Sequence, residues 1–128
     1  MKRVTGIGGI FIKMKDPQAM YAWYQKYLGL KPFLPEHHSV DFNWKDADTG
    51  EEAHTYWSLF EHSSNYFDPS TSPVMINYRV ADLDALLAAL QAEGITILGC
   101  EDYDYGRFAW IMDPEGNKIE LWQPPRKS

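Results

Sequence analysis

The hydrophobic and polar positions of this chain fall into one pattern that occurs twice. Laid over each other, GIFIKMKDPQAMYAWYQKYLGL from Gly9 and MINYRVADLDALLAALQAEGI from Met75 put Asp16 on Asp82, Ala19 on Ala85 and, after a one-residue gap, Gly29 on Gly94. Each stretch reads as an apolar strand, an aspartate, an amphipathic helix and a glycine stop. In the first, Asp16 is placed to cap the helix and Pro17 to open it, where a missing N–H costs nothing. Met20, Trp23, Tyr24, Tyr27 and Leu28 follow at helical spacing, which predicts one buried stripe. Gly29 can take the left-handed conformation that closes a helix. In the second, Asp82 caps, Leu83, Leu86, Leu87 and Leu90 form the stripe, and Gly94 ends it.

The remaining segments read as strands. Residues 39–45 and 54–61 alternate and are rich in aromatic side chains, with the polar turn KDADTGEEA between them. Residues 108–112 and 118–122 flank Asp113-Pro114-Glu115-Gly116-Asn117, which suits a type I turn with a glycine bulge and so predicts a hairpin. Phe33 and residues 95–98 supply a shorter strand in each half, and residues 65–73 form the linker between halves. The expected order is strand, helix, three strands, given twice. Unit one falls at about 4–64 and unit two at about 74–124 of a single domain over residues 1–128.

A chain of 128 residues suffices for one such domain, burying roughly 65–70% of its unfolded surface. No apolar run approaches the ~20 residues that cross a bilayer, so no membrane partner is expected. MKRVTGIGGIFIKMKDP carries no signal-peptide pattern. The cytoplasm is the expected location, in agreement with a single cysteine, Cys100, that has no internal disulfide partner. The formal net charge of −6 repels phosphate backbones and argues against a nucleic-acid partner. Five tryptophans and eight tyrosines suit a small-molecule pocket as well as a core.

The element order, with the strings YAWYQKYLGL and DPEGNKIELWQP, resembles the vicinal oxygen chelate superfamily, which includes glyoxalase I, dioxygenases and the bleomycin-resistance proteins. The resemblance covers nearly the whole chain, and its most specific part is the DP-x-GN hairpin leading into I-E-L-W. It implies an α+β fold in which two βαβββ units form a curved eight-stranded mixed sheet. The helices lie on the convex side and a ligand cleft on the concave side. The apolar parity of each strand then belongs under a helix. Ile10, Ile12 and Met14, then Ile76, Tyr78 and Val80, then Ile119 and Leu121 take that side. Gly9, Phe11, Lys13, Met75, Asn77, Arg79, Lys118, Glu120 and Trp122 are left for the cleft, and Trp110 opposes Ala109 and Ile111.

Metal-using members of the family take a His, Gln or Glu ligand from the opening and closing strand of each unit. The matching positions here are Gly9, Ser58, Met75 and Glu120. Only Glu120 is a ligand type, so the resemblance implies no metal and no cofactor. His37, His38, His54 and His62 show no HxH or HExxH spacing and read as surface residues. Two functions follow. One is a metal-independent binding module, similar to the bleomycin-resistance branch, with Phe11, Lys13, Tyr56, Ser58, Asn77, Arg79, Trp110 and Trp122 holding a small organic ligand. The other is a lyase (glyoxalase-like), isomerase or dioxygenase-like enzyme using Glu120 as general base or as the sole remaining metal-ligand position. Arg79 and Lys13 would hold an anion or be absorbed in salt bridges, and the alternative to a base at Glu120 is a carboxylate paired with Arg79 or Lys118. A homodimer is expected, because edge strands favour pairing and family members commonly dimerise.

Overall fold

A computed structural model describes residues 2–125. Its elements are β1 (Val4–Met14), α1 (Pro17–Leu28), β2 (Ser39–Lys45), β3 (Glu52–Glu61), β4 (Val74–Val80), α2 (Leu83–Ala92), β5 (Gly99–Tyr103), β6 (Gly106–Met112) and β7 (Lys118–Gln123), with a short 3-10 turn at Pro35–His37. The strands form one open mixed sheet in the order β2-β3-β1-β4-β7-β6-β5. At its centre β1 and β4 run antiparallel. Outward from them, β1 pairs parallel with β3 and β4 pairs parallel with β7. No described helix is long and apolar enough to cross a membrane.

Local chemistry sets both helices. Asp16 Oδ1 accepts the N–H of Ala19 at 3.0 Å and Asp82 Oδ1 that of Ala85 at 3.1 Å, each satisfying an orphan donor of the first turn. Gly29 closes α1 in the left-handed region at φ 67°. Both helices cover the same face of the sheet. Ile10, Ile12 and Met14 pack with α1, while Tyr78, Val80, Leu121 and Ile119 pack with α2. Ile10 lies opposite Ile76, which shares its parity with Tyr78 and Val80, so the two cores are on one side. The opposite face is free for a cleft.

Three expectations need correction. The stripe of α1 that faces the sheet is Pro17, Met20, Tyr21 and Tyr24, with Tyr21 buried and its hydroxyl donating to the Ser39 carbonyl at 2.6 Å. Trp23, Tyr27 and Leu28 are 45%, 61% and 59% exposed. The described sheet has seven strands, not eight: Phe33 makes only an isolated bridge to Ser39. Pro32 and Pro35 offer no N–H for a ladder, and Leu34 between them turns to φ 51°, so pairing stops after one residue. Finally, residues 95–98 are a connector whose Ile97 packs on the α2 core, and the strand follows at Gly99–Tyr103.

Candidate functional site

The middle of β1 supplies the floor of the cleft, and it is nearly bare. The β1–β4 register slips between Ile7 and Gly9, a bulge that sets Gly8 against side chains of other strands. A Cβ on Gly8 would lie 2.7 Å from the Trp122 ring and closer still to Asn77 Oδ1. A Cβ on Gly9 would lie 2.7 Å from the Phe11 ring. The glycines are thus the space into which neighbouring aromatic rings are laid.

Those rings form a band across the sheet. On β3, Tyr56 is stacked between His54 (5.6 Å, 8°) and Phe33 (5.7 Å, 28°). Beyond the glycines, Trp122 on β7 meets Tyr56 edge-on at 6.1 Å and stacks on Phe108 of β6 at 6.3 Å. Tyr103 and Tyr105 close the band with their edges against Phe108. Together with Phe11, Phe60 and Tyr66, these rings wall a cavity of about 1390 Å³.

At the base of the cleft lies Glu120, 1% exposed. The β4–β7 and β6–β7 registers place Asn77 and Trp110 directly opposite it. Glu120 Oε1 accepts from Asn77 Nδ2 at 2.6 Å, and Oε2 accepts from Trp110 Nε1 at 2.8 Å and from the Tyr66 hydroxyl. All three donors are neutral. Burial, then the charge and hydrogen bond of Glu120, push the Tyr66 phenol well above its ordinary range, so it remains a donor. Asn77 Oδ1, buried beside Gly8, has no hydrogen-bond partner among the described residues.

Tyr66 comes from the segment between β3 and β4, which is more than a linker. Phe67 is fully buried against Phe60, and Lys118 Nζ donates to the Tyr66 carbonyl at 2.8 Å while lying 5.5 Å from the Tyr66 and Trp110 rings. Burial there lowers the Lys118 pKa.

Of the residues singled out from the sequence, Phe11, Tyr56, Asn77, Arg79, Glu120 and Trp122 lie on the cavity wall. Three sit elsewhere. Lys13 lies over the Phe67 ring at 5.0 Å. Ser58 is buried and shares a 2.7 Å hydrogen bond with Ser39. Trp110 stands behind Glu120 as its donor. Arg79 arrives neutralised, bonded to Asp46 at 2.8 Å and to Thr5 Oγ1 at 2.7 Å. Glu120 pairs with neither Arg79 nor Lys118. Tyr66, Tyr103 and Tyr105, which also line the cavity, carry no assignment from the sequence; Phe108 shares the parity of Trp110, and His54, read from the sequence as a surface residue, lies on the cavity wall. The sole hint at Tyr66 is a pair of aromatic residues, Tyr66-Phe67, inside an otherwise polar segment.

A divalent ion does not fit the four family positions. The Phe11 ring covers Gly9, Met75 is buried and apolar, the Ser58 hydroxyl is engaged by Ser39, and both Glu120 oxygens are taken. Among the described residues, no three His, Cys, Asp or Glu side chains cluster as a metal site.

Solved structures of this architecture include methylmalonyl-CoA epimerases. A variant of the Streptomyces coelicolor enzyme in complex with 2-nitronate-propionyl-CoA superposes with a TM-score of 0.68 at 20% identity, covering 96% of this chain and 99% of that one. The Mycobacterium tuberculosis epimerase gives 0.58 at 21% identity, covering 96% and 90%. A glyoxalase/bleomycin resistance protein/dioxygenase superfamily member from Vibrio splendidus 12B01 gives 0.59 at 17%, covering 91% and 97%. At these identities the likeness is one of fold. No curated protein matches the sequence. The profile of the Glyoxalase/Bleomycin resistance protein/Dioxygenase superfamily matches residues 6–121, and the chain belongs to that superfamily.

Proposed function

We propose that the protein is a metal-independent binder of a small, flat organic molecule, of the bleomycin-resistance type, acting in the cytoplasm. The observation that carries this reading is the engagement of Glu120. The one family position that keeps a ligand-type side chain spends both oxygens on Asn77, Trp110 and Tyr66, beneath an aromatic cleft of about 1390 Å³. Stacking surfaces of this kind hold planar ligands. The direct test is thermal shift and calorimetry with nitroaromatic probes, with elemental analysis of protein purified without chelator. Saturable probe binding without a stoichiometric transition metal supports the reading, and a bound metal sinks it.

The epimerases among the structural neighbours favour a second reading, an isomerase with Glu120 as general base. Methylmalonyl-CoA in deuterated solvent separates the two. The binder leaves the acidic C–H unexchanged. Exchange that falls by ~10²-fold or more in Glu120→Gln would replace the first reading with the second. We further propose a homodimer at micromolar concentration, since the open sheet ends on β2 and β5. A monomer mass by light scattering would contradict it.

A further inference from the structure

The rim of the cleft carries a histidine that the sequence pattern assigns to the surface. The β2–β3 register sets Asn43 opposite His54 and Asp41 opposite Tyr56, so all four share one face. His54 Nδ1 lies 2.9 and 3.0 Å from the two oxygens of Asp41. The Asp41 side chain is 14% exposed against 33% for His54, so the carboxylate sits behind the imidazole. The ring is fixed by parallel stacking on Tyr56. Asn43, with its amide nitrogen turned inward, faces the same carboxylate at 2.9 Å. That nitrogen also lies 2.7 Å from Nδ1. An unprotonated Nδ1 would accept from that nitrogen but aim its lone pair past it at two anionic oxygens; a protonated Nδ1 donates to those oxygens, and the Asn43 nitrogen must then turn its hydrogens to the same carboxylate. The tautomer that satisfies Asp41 therefore leaves the lone pair on Nε2, which makes no hydrogen bond among the described residues, in a side chain on the cavity wall.

We infer that His54, held by Asp41, is a proton acceptor of the cleft and selects a flat aromatic ligand bearing an acidic hydroxyl, a phenol or an enol. This rests on the cleft-binding reading and names its ligand. In the bound state the ligand O–H bond breaks, the proton moves to Nε2, and the electron pair stays on the ligand oxygen. The imidazolium then lies between that oxyanion and the Asp41 carboxylate. The groups facing His54 are Asp41 and Asn43 on β2, Tyr56 and Glu52 on β3, and Phe33 beyond Tyr56. Tyr56 is not the acceptor: burial, then the charges of Asp41 and Glu52, hold its phenol protonated. The same charges, with Arg79 already taken by Asp46, disfavour a ligand that arrives as an anion. A neutral hydroxyl that ionises in place avoids that cost.

The test pairs 4-nitrophenol with 4-nitroanisole, which keeps the ring and lacks the acidic proton. The wild-type protein should bind both and should raise the phenolate band of 4-nitrophenol at a pH where the free phenol is mostly neutral. His54→Gln and Asp41→Asn should each weaken 4-nitrophenol by roughly tenfold, the scale of one hydrogen bond to a charged group, and leave 4-nitroanisole nearly unchanged. Nitrogen-15 shifts of His54 should report the Nδ1–H tautomer in the wild type and its loss in Asp41→Asn. An Nε2–H tautomer, or equal affinity for both probes that is insensitive to both variants, overturns the inference while the cleft reading stands. If neither probe binds, the cleft reading falls and the inference with it.

Discussion

Asp46 shows how one side chain ties the cleft wall to pH. Its Oδ1 accepts the N–H groups of Asp48 and Thr49 at 2.8 and 3.1 Å, and its Oδ2 accepts from Arg79. Those backbone bonds first, and Arg79 second, hold its carboxyl below the ordinary 3.8. A depressed folded pKa contributes stability that is whole above the unfolded value and is lost as pH falls through the folded one. Asp46→Asn should therefore lower Tm at neutral pH and flatten the fall of Tm below about pH 4. Parallel Tm-against-pH curves for the two proteins would contradict this. At this scale the sequence is a partial guide. Strand parity puts Phe11, Asn77, Arg79, Glu120 and Trp122 on the face that carries the cavity, because alternation is a property of each strand alone. It says nothing of Tyr66, which reaches Glu120 from an irregular segment. Nor does it reveal the Asp41–His54 pair, which depends on a β2–β3 register set by the turn between those strands.

Among the elements, β1 bears the constraint that shapes the site. Gly8 has Trp122 and Asn77 packed against its Cα, so Gly8→Ala should force the Trp122 ring outward. We expect a loss of about 1–3 kcal/mol in stability, the scale of overpacking, together with weakened probe binding. Urea unfolding followed by tryptophan fluorescence reads the first and calorimetry the second. Unchanged stability would mean that the bulge absorbs the methyl. The helices are legible in sequence because caps and glycine stops act within a few residues. The buried face of α1 is not, because PQAMYAWYQKYL is aromatic all round. Periodicity fits both the Met20, Trp23, Tyr24, Tyr27 stripe and the Pro17, Met20, Tyr21, Tyr24 stripe, and only packing on β3 selects the second. Phe33 falls short of a strand for a reason that is visible in sequence: the prolines on either side of it. The strand at Gly99–Tyr103 carries no apolar alternation, since it is a sheet edge with exposed side chains.

Across the whole molecule, the aromatic band spans the line where β1 meets β4. His54 and Tyr56 approach from one side, and Trp122 and Phe108 from the other. The two apolar cores under the helices are separate clusters, one built on α1 and one on α2. The β1–β4 ladder joins them on the helix side, and a ligand in the cleft would join them on the other. A ligand that touches both sides should stabilise both together. At ~100 times its dissociation constant it should add about 2.7 kcal/mol to unfolding. Amide hydrogen exchange with and without a nitroaromatic probe tests the geometry directly. Slowed exchange in both β3 and β7 is the expected result, because opening either strand would release the ligand. Protection confined to β3, with β6 and β7 unchanged, would place the ligand at the His54 rim alone and remove Trp122 from the site.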